Sequence, residues 1–76
     1  MRPAWKDAPE WARWLAMDED GSWWWYAERP VKDASWGKFR NEVEGSLGQK
    51  ARYSEEFDWQ LSLEWYGDHL PKGKGK

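Results

Sequence analysis

The stretch "GSWWWYAERP", residues 21–30, places three tryptophans and a tyrosine in succession. Side chains of an extended strand alternate between its two faces, so Trp23 and Trp25 are expected on one face and Trp24 and Tyr26 on the other. A sheet with one covered face normally alternates apolar with polar residues. The stretch therefore predicts a strand with rings on both faces, and the second set of rings needs a contact of its own.

The composition predicts a core built from aromatic rings. The chain has 76 residues, enough for one small domain with a thin margin of stability. It contains nine Trp, three Tyr and two Phe, whereas aliphatic residues are few and isoleucine is absent. About five or six buried rings would form a core of this size. We therefore expect one domain over residues 1–70, surplus rings at its surface, and a flexible Lys/Gly tail over residues 71–76.

Composition also narrows the possible partners and compartments. The absence of cysteine excludes disulfides and cysteine-ligated zinc. No apolar run approaches the ~20 residues of a membrane span, and the N-terminus lacks the apolar segment of a secretory signal. The net charge of -2 comes from acidic and basic residues spread along the chain, which disfavours duplex nucleic acid as a partner. We expect a cytoplasmic protein without a membrane partner.

Turn and capping signals divide the first half of the chain. The segment "DEDG", residues 18–21, is a strong hairpin turn, and a strand is expected after it over Ser22–Glu28. Before it, Asp7 and Glu10 form a variant of the capping box and predict a short helical turn. Whether that helix continues, or ends before a first strand at residues 13–17, stays open.

The second half of the chain has weaker signals. A third strand is expected over residues 31–40, with Trp36 and Phe39 as its anchors, and a loop over residues 41–56. Residues 57–65 alternate apolar with polar residues and predict a half-buried strand, with a helix as the alternative. The predicted fold class is mainly β (small α+β): an antiparallel meander of three to four strands with one short helical element and an aromatic core.

The residue inventory does not favour an enzyme. His69 is the sole histidine and lies beside a helix-breaking segment, which is typical of a surface residue. Residues 18–22 resemble the centre of a calcium loop but lack its spaced ligands. Acidic pairs such as Glu55 and Glu56 are too common among 14 carboxylates to indicate a glycosidase. We predict no catalytic residue, no metal site and no cofactor.

The surplus rings predict a binding surface. Tryptophan and tyrosine beside arginine are typical of the residues that dominate protein interfaces. Trp24, Tyr26 and Trp36 are the predicted partner-binding residues, with Arg29 at the rim. In the alternative interpretation all nine tryptophans belong to the core or its edge. An unpaired aromatic face also allows a homodimer.

Most of the chain resembles a small Trp-rich module found in tailed-bacteriophage proteins. The module has a W-x-x-A-P-E-W-A opening, a turn and a W-x-W/Y strand. The matching residues are Trp5, Ala8, Pro9, Glu10, Trp11, Ala12, Gly21, Trp23, Trp25 and Tyr26, with Trp59 further on. The longer middle loop and the Lys/Gly tail depart from the pattern. The resemblance implies a phage or prophage origin and brings no established catalytic residues.

A second resemblance concerns spacing alone. Trp14 and Trp36 stand 22 residues apart, similar to the two tryptophans of WW domains, which bind proline-rich segments. The proline that those domains carry shortly after the second tryptophan is missing.

The expected function combines these observations. The sequence favours a phage-encoded, non-enzymatic protein that docks on a bacterial host protein in the host cytoplasm and inhibits it, as counter-defence (anti-CRISPR-like) or host-takeover proteins do. The alternative is a phage tail or virion component, or a carbohydrate-binding module.

Overall fold

The computed structural model describes residues 2–54 and 58–69. Their secondary structure comprises, in chain order, the 3-10 turn η1 (Trp5–Asp7), strands β1 (Trp14–Met17), β2 (Ser22–Tyr26), β3 (Val31–Asp33), β4 (Lys38–Arg40) and β5 (Gly48–Tyr53), η2 (Trp59–Leu61), β6 (Glu64–Trp65) and η3 (Tyr66–His69). Four strands form an antiparallel sheet in the order β5-β2-β1-β6, and β3 pairs with β4 in a separate hairpin. The predicted mainly-β fold with antiparallel strands and an aromatic core is confirmed. No helix in the described ranges is long and apolar enough to cross a membrane.

The turn between β1 and β2 is the one that "DEDG" predicts. The Asp18 amide donates to the Ser22 carbonyl at 2.9 Å, and the Gly21 amide donates to the Asp18 carbonyl at 2.9 Å. Gly21 has a φ of 93°, a conformation that side chains with a Cβ rarely adopt. The turn therefore places the aromatic run of β2 directly against β1.

The N-terminal segment follows the alternative in which the helix ends early. A 3-10 turn begins after Ala4 and ends at Asp7, and β1 begins at Trp14. The expectation that Asp7 caps a helix is wrong, because Asp7 is the last residue of η1 and the N-cap Ala4 offers no side-chain acceptor.

The register of β1 and β2 assigns each ring to a face. Residues directly opposite in an antiparallel pair point to the same side of the sheet. Trp14 and Ala16 face Tyr26 and Trp24, and we call this side the hairpin face. The other side, called the terminal face, carries Leu15, Met17, Trp23 and Trp25.

Rings from both ends of the chain cover the terminal face. Trp5 packs on Trp25 with ring centroids 4.9 Å apart, and on Tyr66 at 5.4 Å. The Arg2 guanidinium lies over the Trp23 ring, 5.5 Å from its centroid. Trp23 and Trp25 are buried as a result.

A carboxylate holds these two ends together. Glu64 on β6 forms an ion pair with Arg2, accepts a hydrogen bond from the Trp5 indole at 3.1 Å, and contacts His69 Nε2 at 3.0 Å. A charge this far from solvent is costly unless its partners are close and well oriented. The cluster therefore fixes the N-terminal segment and η3 against the sheet.

The β3–β4 hairpin covers the opposite side. Phe39 is buried and meets Trp59 edge to face, with centroids 5.7 Å apart. Its backbone amide donates to the Asp18 carboxylate at 2.9 Å. The single strand expected over residues 31–40 is wrong in its middle, because residues 34–37 form the turn between β3 and β4 and carry Trp36 away from the sheet.

The loop expected over residues 41–56 contains a strand. Gly48–Tyr53 forms β5 and pairs with β2 along its whole length, from Ser22↔Tyr53 to Tyr26↔Gly48, with a bulge opposite Trp23 and Trp24. The backbone groups of β2 need partners on both edges. Most side chains of β5 are exposed, so the strand has no apolar alternation that the sequence could reveal.

Of the strand expected over residues 57–65, the described part begins at Asp58, and the expectation is wrong for residues 58–63. The Asp58 side chain accepts from the Gln60 amide at 3.1 Å and starts η2. Leu61, an expected core residue, is 79% exposed, whereas Ser62, expected at the surface, is 0% exposed. Only Glu64–Trp65 is a strand.

Ser62 is buried because its hydroxyl substitutes for a backbone partner. It accepts from the Met17 amide at 2.8 Å and donates to the Trp59 carbonyl at 2.8 Å. It thereby joins η2 to the end of β1.

The Ser62→Ala variant should lower the free energy of unfolding by about 1–3 kcal/mol, because it leaves the Met17 amide buried without an acceptor. Urea denaturation measures this. The matched variant Ser35→Ala removes an exposed hydroxyl and should change stability by less than about 0.5 kcal/mol. Equal effects of the two substitutions would contradict the role given to Ser62.

Candidate functional site

A groove runs between the β3–β4 hairpin and strands β2 and β5. It consists of two adjoining concavities of about 500 and 410 Å³ that share Asp18, Trp24 and Lys38. The first is also lined by Tyr26, Phe39, Arg40, Asn41, Ser46 and Gly48, and the second by Glu19, Asp20, Ser22, Trp36, Gly37 and Lys50. We call the whole the Trp24 groove.

Three of the four predicted binding residues line this groove, with different exposures. Trp24 is half-buried, Tyr26 is 5% exposed, and Trp36 is 74% exposed. Burial raises the pKa of the Tyr26 phenol, with a further contribution from the Asp18 charge, so the hydroxyl stays neutral. Trp36 therefore offers the largest accessible ring, and Tyr26 mainly supports the groove from below.

Arg29 lies elsewhere. Its guanidinium lies over the Trp14 ring, 5.3 Å from the centroid, and it lines a different concavity that Trp24 does not reach. Trp14 in turn stacks with Trp65 on β6 at 6.2 Å. The structure therefore brings Trp24, Tyr26 and Trp36 together and places Arg29 outside their groove.

The exposed ring of Trp36 stands on an ordered turn. Its amide donates to the Asp33 carbonyl at 3.1 Å, and the Asp33 carboxylate accepts from the Ser35 hydroxyl at 2.8 Å and pairs with Arg40 at 2.9 Å. Gly37 follows with a φ of 70°, and a Cβ there would overlap the Glu19 side chain. These contacts hold the turn in one conformation.

The charges of the Trp24 groove are mixed. Burial raises the pKa of Asp18, with Asp20 adding to the effect, while the hydrogen bond from the Phe39 amide and the Lys38 charge act in the opposite direction. Lys38 and Lys50 form no ion pair within the described residues. The groove thus offers aromatic surface, two uncommitted ammonium groups and acidic side chains to a ligand.

The described side chains show little catalytic organisation. Within residues 2–54 and 58–69, no three histidine, aspartate or glutamate side chains converge in an arrangement that could hold a metal ion. Glu64 and His69 are in contact, but Glu64 is also engaged by Arg2 and by the Trp5 indole. Together these contacts join the N-terminal segment to β6 and η3.

Sequence reasoning missed several residues of the groove. Lys38 and Lys50 come from the second strand of the hairpin and from β5, and β5 falls where a loop is expected. From the sequence, Asp18 is expected in a hairpin turn and in the calcium-loop-like stretch over residues 18–22, and not in a groove. The pairing of β5 with β2 brings Lys50 opposite Trp24, and no local signal in the sequence reports that pairing.

Comparison of the chain with protein-family models, curated proteins and solved structures returned no match. The resemblances to the phage module and to WW domains therefore stay predictions.

Tyr26 and Trp36 should differ sharply in their effect on stability. Tyr26→Ala should lower the free energy of unfolding by about 3–5 kcal/mol, because it empties a buried site. Trp36→Ala should change it by less than about 0.5 kcal/mol, because the ring is mostly in water. Thermal denaturation of both variants decides the point, and a large loss of stability in Trp36→Ala would contradict the exposed placement of the ring.

The turn that carries Trp36 should loosen at acidic pH. The Ser35 hydroxyl, followed by the Arg40 charge, lowers the pKa of Asp33 below its usual 3.8. The stabilisation is therefore present above pH 3.8 and is lost as the pH falls through the lower pKa of the folded state.

An NMR titration from pH 6 to pH 2 should show the Trp36 indole and Gly37 amide signals moving with a midpoint below 3.8. The Asp33→Asn variant should lack this transition, whereas Asp7→Asn, which alters an exposed carboxyl outside the turn, should keep it. An unchanged titration in Asp33→Asn would remove Asp33 as its source.

Proposed function

We propose that this chain is a non-enzymatic binding protein that docks on another protein through the Trp24 groove, with Trp36 as its main contact. The observation that carries the proposal is the combination of exposure and order at Trp36. The ring is 74% exposed, yet the turn beneath it is fixed by Asp33, Arg40 and Gly37.

An ordered, exposed tryptophan suits a contact residue for energetic reasons. Tryptophan offers a large rigid area, and residues of this type contribute most to binding in many protein interfaces. Ordering a loop during binding costs free energy, and a turn that is already fixed avoids that cost. Trp24 beside it extends the aromatic surface into the groove, and Lys38 and Lys50 supply polar contacts at the edges.

The proposed partner is a bacterial host protein, and the proposed setting is the cytoplasm of a bacterium that carries the phage. This part rests on the resemblance of the opening and of β2 to the phage Trp-rich module. A small protein of this kind acts by covering a surface that its target needs. The consequence would be inhibition of a host enzyme or defence protein.

A second candidate is carbohydrate binding, as in a phage tail module. The Trp36 ring shares its concavity with the carboxylates of Glu19 and Asp20. An aromatic platform beside hydrogen-bonding side chains also suits the apolar face and the hydroxyls of a sugar.

Affinity capture tests the protein-binding proposal. Immobilised wild-type chain is incubated with bacterial lysate, and bound proteins are quantified by mass spectrometry. The Trp36→Ala variant should lose about tenfold or more of the specific partner, since a central tryptophan is often worth 2 kcal/mol or more. Leu61→Ala, which removes a side chain that is 79% exposed at a different place, is the matched control and should retain it.

Three outcomes would oppose the proposal. Equal capture by wild type and Trp36→Ala would remove the Trp24 groove as the docking surface. Retention of the chain on cell-wall polysaccharide in a Trp36-dependent manner would favour the carbohydrate candidate. A concentration-dependent dimer that is abolished by Trp36→Ala in sedimentation measurements would assign the groove to a second copy of the chain.

A further inference from the structure

A second groove lies beside Arg29 and has its own chemistry. It has a volume of about 360 Å³. Its apolar lining consists of Pro30, Val31, Phe39 and Leu63. Val31 is 43% exposed and Leu63 is half-buried, so apolar side chains remain accessible to a ligand. We call this the Arg29 groove.

The charge of this groove sets it apart. Among residues 2–54 and 58–69, its lining includes the cations Arg29 and Lys32 and the neutral Gln60, and contains no carboxylate. Four further concavities on the described surface are each lined by at least one aspartate or glutamate. The chain as a whole carries a net charge of -2. Two cations beside an apolar wall therefore create a local positive potential that attracts an anionic ligand.

The Arg29 side chain is positioned by a ring and makes no polar contact within the described residues. Its guanidinium rests on Trp14, which is itself supported by Trp65. Within residues 2–54 and 58–69 Arg29 makes no ion pair and no hydrogen bond. By contrast, Arg40 is paired with Asp33, and Arg13 donates to backbone carbonyls.

A guanidinium held over a ring is suited to binding a carboxylate. Contact with an aromatic face restrains the side chain, and the N–H donors along the edge of the guanidinium stay available because they make no hydrogen bond within the described residues. That edge matches the two oxygens of a carboxylate in a bidentate pair. Little side-chain freedom remains to be lost when the pair forms.

We propose that the Arg29 groove binds an acidic segment of a partner polypeptide. An aspartate or glutamate of that segment pairs with Arg29, a neighbouring apolar side chain packs against Val31 and Leu63, and a further acid approaches Lys32. The apolar wall distinguishes this ligand from a nucleic acid, whose backbone contacts use rows of cations and whose bases stack on exposed rings. The groove is separate from the Trp24 groove, so this inference does not depend on docking there.

Selection from a displayed library of random 12-residue peptides tests the proposal. Peptides retained by the wild-type chain should be enriched in aspartate or glutamate next to leucine, valine or phenylalanine. The double variant Arg29→Gln/Lys32→Gln should lose this class of peptide. The control Arg52→Gln/Lys6→Gln removes the same amount of charge from exposed positions outside the groove and should select the same peptides as wild type.

A synthetic version of the most enriched peptide then locates the contact. In NMR titrations it should shift the Arg29 side-chain signal, the Trp14 indole and the methyl groups of Val31 and Leu63. Replacing its acids by glutamine should weaken binding about tenfold or more, as expected for loss of a charge-assisted hydrogen bond. Raising the salt concentration should weaken binding of the acidic peptide more than that of its glutamine version.

Several results would overturn the inference. These are selected peptides without an excess of acids, an unchanged selection by Arg29→Gln/Lys32→Gln, and shifts confined to residues outside the groove. A dT12 oligonucleotide that displaces the peptide and shifts the same signals more strongly would assign the groove to nucleic acid instead. The Trp36→Ala variant should select the acidic peptides unchanged, so failure at the Trp24 groove and failure at the Arg29 groove are distinguishable.

Discussion

The structure depends on the packing of indole rings on both faces of β2. A strand with Trp23 and Trp25 on one side and Trp24 and Tyr26 on the other cannot leave either side fully in water without a large hydrophobic cost. Both faces therefore need a cover, in a chain with few aliphatic residues to supply one. The N-terminal segment and η3 cover one side, where Trp5 packs on Trp25 and Glu64 of β6 accepts a hydrogen bond from Trp5. The β3–β4 hairpin covers the other side, where Phe39 is buried against the sheet.

The two covers differ in completeness, and that difference creates the candidate sites. On the terminal face, Leu15, Met17, Trp23 and Trp25 are all buried, whereas Trp14 and Trp24 on the hairpin face are half-buried. On the hairpin face, two three-residue strands lie over the sheet and have a groove along each of their edges. Phe39 lines both grooves because it is the side chain that attaches the hairpin to the sheet. The same element therefore stabilises the core and shapes both proposed binding surfaces.

The nine tryptophans divide according to this architecture. Three are buried, four are half-buried, and Trp36 and Trp65 are exposed, so the interior does not hold all of them. Trp65 is stacked on Trp14 and contributes to the support of Arg29. Trp36 has the most accessible ring, and it stands on a turn ordered by hydrogen bonds. The two exposed tryptophans therefore lie at different grooves: Trp36 lines the Trp24 groove, and Trp65 contacts Trp14 beside the Arg29 groove.

The sequence by itself determined the features that depend on neighbouring residues or on composition. These are the Gly21 turn, the extended aromatic run of β2 and the aromatic nature of the core. The sequence does not predict β5, because the side chains of that strand are mostly exposed and show no alternation of apolar and polar residues. It also predicts the wrong structure for residues 58–63, where the Ser62 hydroxyl is buried by its hydrogen bonds to the Met17 amide and the Trp59 carbonyl. The sequence also places Arg29 in the same predicted binding surface as Trp24, whereas in the structure the Arg29 guanidinium lies over the Trp14 ring. Only the tertiary structure decided these positions, because each depends on a partner that is distant along the chain: β2 for β5, Met17 for Ser62 and Trp14 for Arg29.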